Sequence, residues 1–362
     1  MPHGVTTDPL AIVRRRLREQ RLAGAPFERP ADVVGYLGAM QAQEYAEAKW
    51  SISERTGGLT DTQVEEAFDH GQILRTHVLR PTWHFVTPAD IRWLLDLIGP
   101  RVHVANGYPY RQLGLDEGVF ARSHEALTRE LEGGDPRTRR ELGVALRLGG
   151  VDTEGQRLPY VLMHAELEQL IVSGPRRGKQ HTHMLFEQRV PPAPGLTREE
   201  ALAELTLRFF RSHGPATAKD FSWWSGLTLT DARAGLEAVG EQLEAVEDEG
   251  GTPWFAAPDP PPDADTAGAL LIPMYDELGV GYRDLRMVLS EQPPRDGMLS
   301  RPIVIGGATV GSWKRTLPAR QVVVEATLFT SLGRTQTKAL DAVVERFGRF
   351  LELPASLEIV HA

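Results

Sequence analysis

The 362-residue chain contains no cysteine. That excludes disulfides, thiolate metal sites and a cysteine nucleophile, and it fits a reducing compartment. No apolar run approaches the roughly 20 residues that a membrane-spanning helix needs. The opening "MPHGVTTDPL" lacks the apolar stretch of a secretion signal. A cytoplasmic, nucleoid-associated protein with no membrane partner is expected. An excess of positive charge is also missing, since the formal net charge is −9. That total argues against nonspecific coating of nucleic acid, but docking depends on local fields rather than totals.

What is present is ordinary for a globular protein: 41% hydrophobic and 25% charged residues. The length suggests two to four compact units. Two stretches are locally basic, "RRRLREQR" (14–21) and "GPRRGKQHTH" (174–183), while acidic residues gather elsewhere, as in "EQLEAVEDEG" (241–250). This asymmetry is compatible with a nucleic-acid face and equally with solvated surface charge.

The chain reads as a repeated order of helices followed by a hairpin. Leu10, Val13 and Leu17 recur at helical spacing with arginines on the other side. A second helix starts near Pro30 and carries Val33, Val34, Leu37 and Met40. Thr60 with Gln63, Thr138 with Glu141 and Thr197 with Glu200 form capping patterns ahead of helices. "ILRTHVL" and "TWHFVT" then read as two strands flanking Arg80 and Pro81. The order recurs with "TRRELGVALRLGG", "PYVLMHAELEQL", "IVSG" and "HTHMLFE", and again with "TREEALAELTLRFFRSHG", "GPATAKDFSWWSG", "LEAVED" and "TPWFAA". A Pro/Asp-rich linker (257–268) leads to strands and a final amphipathic helix, "TKALDAVVERFGRFLEL". The expected fold class is α+β: three tandem winged-helix units (1–110, 111–193, 194–258), then a small β-barrel-like domain (266–362) with a terminal helix. A winged helix is foremost a DNA-docking shape, although fold alone does not decide function.

Gln41 and Gln43 sit one residue apart in "AMQAQEYAEAKW". Neither can take a proton at neutral pH, and on residue type alone both read as helix-surface amides. Five stretches change that reading: "LGAMQAQEYAEAKWSI", "LRPTWHFV", "HAELEQLIVSGPRRGKQHTHMLFEQRVP", "GPATAKDFSWWSGL" and "LIPMYDELGVGYRD". Together, and in this order, they resemble the winged-helix DNA glycosylases of the AlkZ/YcaQ type over nearly the whole chain. The resemblance implies tandem winged helices and a β-barrel around duplex DNA, and removal of bulky alkylated or crosslinked bases. It implies a catalytic Gln-apolar-Gln motif, here Gln41-Ala42-Gln43, which places the chain with the AlkZ-like branch. On a regular helix, residues i and i+2 point about 200° apart, so converging amides require the helix to break near Ala42. This chain departs from the pattern at Pro81, often Gly in the family, and at His183, often Tyr.

Other candidates accompany the motif. Arg80, Thr82 and His84 on the first hairpin, and Arg176, Arg177, Lys179, Gln180 and His181 on the second, read as DNA or lesion contacts. Packing and a solubilising turn are the competing readings. Trp223 and Trp224 read as core rather than as a stacking pair. Asp276 and Glu277 resemble a paired acid site, with a structural role as the alternative. His181 and His183 lie two apart on a strand, but no third ligand is evident nearby. No cofactor and no metal are expected. The expected partner is double-stranded DNA bearing alkylated or crosslinked bases, bound by a monomer. A winged-helix transcription regulator and a non-catalytic damage binder are the competing functions.

Overall fold

The computed structural model describes residues 8–248, 250–258, 268–284 and 301–361. In chain order the first elements are α1 (Pro9–Glu19), α2 (Pro30–Leu37), β1 (Met40–Gln41), α3 (Tyr45–Glu54) and α4 (Asp61–Asp69). Then come β2 (Leu74–Val78), β3 (Thr82–Val86), α5 (Ile91–Gln112), α6 (Glu117–Leu131), β4 (Arg137–Thr138), α7 (Arg139–Leu148) and α8 (Arg157–Leu167). Next are β5 (Ile171–Arg177), β6 (Gln180–Leu185), α9 (Phe186–Arg189), α10 (Arg198–His213), α11 (Ala218–Ser225), α12 (Leu229–Val239), β7 (Glu244–Glu247) and β8 (Pro253–Ala256). The last are β9 (Ala269–Leu271), α13 (Glu277–Val280), β10 (Pro302–Ile305), β11 (Ala308–Thr316), β12 (Val322–Leu328), α14 (Arg334–Leu351) and β13 (Ala355–His361). Most of the linker expected at 257–268 lies outside the described residues.

The chain divides into two units. One comprises Met1–Glu65, Ala203–Trp224 and Thr228–Ala362; the other comprises Glu66–Leu202 and Ser225–Leu227. In the first, five strands form a sheet in the order β13-β12-β11-β10-β9. Along β12, Val322, Val324, Ala326 and Leu328 are buried, while the residues between them are half-exposed. That period of two is what a sheet with one covered face requires. The cover is α14, which buries Leu340, Val343, Val344, Phe347 and Phe350. Trp50 from α3 enters the same core, its ring 5.0 Å from Phe347 and its indole N–H donating to the Leu271 carbonyl at 2.8 Å. The final strand, β13, pairs parallel with β12. The sequence pattern ends at α14 and does not reveal it.

The second unit holds two hairpins, β2–β3 and β5–β6, the latter joined by β4 in the order β4-β6-β5. Beneath them α5, α6, α7 and α8 pack Tyr110, Phe120, Leu127, Leu142, Leu146 and Val161 into one core. The capping pairs act as expected: the Thr138 hydroxyl accepts from the Glu141 amide while the Glu141 carboxylate accepts from the Thr138 amide at 2.7 Å. Thr60 with Gln63 and Thr197 with Glu200 make the same exchange.

Two expectations are corrected. Helix α2 stops at Leu37, so Met40 lies on β1 instead of inside the helix. The arginines of α1 are not all on a solvent face: Arg15 and Arg16 are 4% and 1% exposed.

Phe347 touches Trp50, Trp313 and Phe350 at the centre of the sheet–helix core. Phe347→Ala should cost about 3–5 kcal/mol, seen as a lower urea midpoint at unchanged slope.

Candidate functional site

Gly38 ends α2 with φ +83°, a conformation that costs glycine little. The chain then runs through Ala39 and the short β1 before bending into α3, whose N-cap is Glu44. Gln41-Ala42-Gln43 therefore lies between two helices, and the break expected near Ala42 extends over the whole motif. Gln41 is 7% exposed, Ala42 is fully buried and Gln43 is exposed.

The backbone at Gln41 is clamped from far along the sequence. Its N–H donates to Glu277 Oε1 at 2.7 Å. The other carboxylate oxygen accepts from the Trp224 indole N–H at 2.8 Å and lies 3.4 Å from His213 Nε2. Glu277 thus ties the glutamine strand to α10 and α11. Trp224 is buried, as expected of a core residue, whereas Trp223 is 40% exposed.

Asp276, one residue earlier, faces Arg55. Nη1 of Arg55 donates to Asp276 Oδ2 at 2.7 Å and Nη2 to Oδ1 at 2.8 Å. The remaining donors reach the Ser51 carbonyl, the Gln20 carbonyl and Gln20 Oε1. All five guanidinium N–H groups have acceptors, the condition for burying such a cation. Burial opposes charge on Asp276, but Arg55 outweighs it and holds the carboxyl below its ordinary value. Gln20 passes the network on to the Tyr282 hydroxyl at 3.0 Å, and the Arg16 guanidinium lies 3.6 Å over the Tyr282 ring. The "RRRLREQR" stretch is in large part internal scaffolding. Asp276 and Glu277 position the glutamine segment, a role that the sequence leaves open because both partners are remote in the chain.

The other eight candidates belong to the second unit. In the first hairpin Arg80 and Thr82 are half-buried, and His84 is 1% exposed with Nδ1 2.9 Å from the Thr82 carbonyl. Leu79 takes φ +60° in the turn. Gly226 packs flat on it, and a Cβ there would sit 3.2 Å from the Leu79 backbone. Trp83 packs on His77 at 3.8 Å and under the Arg75 guanidinium at 4.2 Å.

In the second hairpin Lys179 and Gln180 are exposed, and Arg176 and His181 are half-buried. Arg177 is exposed but tethered: it pairs with Glu141 at 2.7 Å and donates to the Pro136 carbonyl. The Arg176 amide donates to Asp69 Oδ1 at 2.8 Å. His183 does not join His181 as a ligand pair. It turns inward, 3.3 Å from Glu166 Oε1, while His77 Nδ1 is 2.5 Å from Glu166 Oε2. Burial alone would raise the Glu166 carboxyl; the two imidazoles outweigh it and draw it down to about 2.

A family model described as "DNA glycosylase AlkZ-like" matches residues 34–350. Among solved structures, the Streptomyces sahachiroi DNA glycosylase AlkZ aligns with a TM-score of 0.79 at 22% identity, covering 98% of this chain and 100% of that one. No curated protein matches. At that identity the structural likeness bears on the fold, a mixed α+β chain with a curled C-terminal sheet.

Glu166 gives a test in pH. Unfolded, a glutamate titrates near about 4.3. With its pKa lowered to about 2 in the fold, it stabilises fully above the unfolded value, and that contribution is lost as pH falls toward the folded one. Glu166→Gln should therefore lower Tm at neutral pH. Its gap from the parent should narrow as pH falls below about 5 and close only near about pH 2, at the folded value. A constant gap across that range would show that the ionised carboxylate is not the group that matters.

Proposed function

Because the chain belongs to the AlkZ-like DNA glycosylase family, we propose that it hydrolyses the N-glycosidic bond of cationic N7-alkylated purines in duplex DNA, with Gln41 and Gln43 at the reacting sugar. The observation that carries this reading is the setting of the motif. Gln41-Ala42-Gln43 occupies a non-helical stretch whose backbone is clamped by Glu277 at 2.7 Å.

The residue type limits the substrate. Breaking the bond builds positive charge on the sugar, and water attacks the anomeric carbon. A glutamine carbonyl orients a water and faces a developing cation, but an amide is no general base. This modest help suffices when the base already carries positive charge and leaves neutral, so that no general acid is required. Each tenfold of rate corresponds to about 1.4 kcal/mol, and two held amides with a positioned water supply a few such steps. An N7-linked interstrand crosslink presents the same cationic leaving group, so unhooking falls within the same chemistry.

The hairpins take the DNA. In this reading they are the wings of winged-helix units. Arg80, Arg176, Arg177, Lys179, Gln180 and His181 meet the duplex. Thr82 and the buried His84 set the shape of the tip of the first hairpin. The enzyme acts as a monomer in the cytoplasm, at the nucleoid.

Gln41→Ala and Gln43→Ala should each keep the fold and the affinity for duplex DNA, yet lose most single-turnover excision of N7-methylguanine. Water as the nucleophile means that borohydride traps no protein–DNA adduct and that the product is an intact abasic site until alkali is added. A trapped adduct would point to a lysine nucleophile. Full activity in the double variant would return both residues to a structural role.

Changing Arg176, Arg177 and Lys179 together to Ala should weaken duplex binding. The log–log salt dependence should flatten by about 0.9 for each phosphate that is no longer neutralised. An unaltered slope, measured by fluorescence anisotropy from low to moderate salt, would assign the three to solubility.

A further inference from the structure

Among the described residues, one cluster of potential metal ligands lies outside everything assigned above. His103 on α5, His164 in the last turn of α8 and Glu168 at the C-cap of α8 each bring a ligand atom within 4.8 Å of the others. We propose that this trio binds one divalent transition-metal ion of the zinc class, tying α5 to α8.

The donor set suits such an ion, since two imidazoles and a carboxylate are common zinc ligands. The spacing suits it too. Tetrahedral bonds of about 2.1 Å put donors about 3.4 Å apart. His103 Nε2 already lies 2.9 Å from Glu168 Oε1. Rotamer adjustments of a half-exposed side chain and an exposed one are enough to admit the ion.

Both imidazoles are oriented from behind. His103 Nδ1 faces the Tyr110 hydroxyl at 3.1 Å, and that hydroxyl also accepts from Asn106 Nδ2 at 3.4 Å. A ligating histidine typically has its second nitrogen fixed in this way, which sets its tautomer. His164 stacks on Phe120 at 3.6 Å with an interplanar angle of 13°, and its Nδ1 lies 3.2 Å from His124 Nε2. Its ring plane is therefore held by an aromatic face and its edge by a second imidazole. His164 and Glu168 stand one helical turn apart, which brings them to one side of α8. A hollow of about 370 Å³ lined by Asp96, His103 and Glu168 opens beside the trio and leaves room for water in the remaining coordination position.

The ion's role would be structural. Helix α8 also carries Glu166, which faces His77 and His183 of the two hairpins. Fixing α8 against α5 fixes the helix on which both hairpins rest. None of the three ligands belongs to the proposed excision machinery.

The test uses the untagged full-length chain, stripped with chelator and titrated with zinc alone against a chromophoric competitor. One equivalent should bind, and His103→Gln and Glu168→Gln should each weaken it at least tenfold. Glu168 is exposed whereas His103 also meets the Tyr110 hydroxyl, so metal-free melting curves of both variants matching the parent should confirm intact folding. Cobalt(II) added to the parent chain gives a readout that needs no variant: intense visible bands of a four-coordinate ion. Failure to saturate near one equivalent, variants that bind zinc as tightly as the parent, or the weak spectrum of hydrated cobalt would each overturn the proposal.

Discussion

The buried pairing of Arg55 with Asp276 is the constraint on which the arrangement around the glutamines rests. The two residues lie 221 positions apart and both side chains are fully buried. Desolvating two charges costs several kcal/mol, and the cost is met only when every donor finds an acceptor. Here Gln20, Ser51 and Asp276 supply acceptors for all five N–H groups. The network therefore has few alternative geometries. Once it forms, Asp276 is fixed, it caps α13 through the Leu278 amide, and Glu277 is aimed at the Gln41 backbone. Two adjacent carboxylates that look like an acid pair in the sequence divide their work, one neutralising a cation and the other anchoring a strand.

Local features were legible in the sequence where local physics decides them. The capping pairs at Thr60, Thr138 and Thr197 announced their helices, and Pro81 marked the first hairpin turn. The apolar stripe of α14 predicted a helix that covers a sheet. What failed needed knowledge of distant partners. Arg15 and Arg16 read as solvent-facing because nothing near them in sequence tells that Pro215, Ala257 and Tyr282 enclose them. Met40 fits the apolar period of α2, but Gly38 at positive φ ends the helix first. Strand β13 carries too little apolar alternation to declare itself; it is a strand because β12 has a free edge beside it. The His103–His164–Glu168 trio spans more than sixty residues, so no spacing motif reveals it.

The contrast between the two carboxylates and the two glutamines bears on the chemistry. The carboxylates beside the glutamine segment are committed to structure, while the side chains proposed to face the sugar are neutral amides. A site built this way adds little proton-transfer power. Under the proposed function it would act on bonds already weakened by charge on the leaving base and have little effect on ordinary nucleotides, a useful limit for an enzyme that meets undamaged DNA in vast excess.

Glu166 places one carboxylate between two histidines, one on each hairpin. The hairpins consequently cannot evolve as independent modules. Replacing His183 with a tyrosine would substitute a single hydroxyl donor and leave His77 as the main counterweight to a buried anion. A change at one hairpin alters the selective value of changes at the other. Sequence drift across the pair should therefore be epistatic, with positions 77 and 183 exchanging as a couple around an unchanging acid.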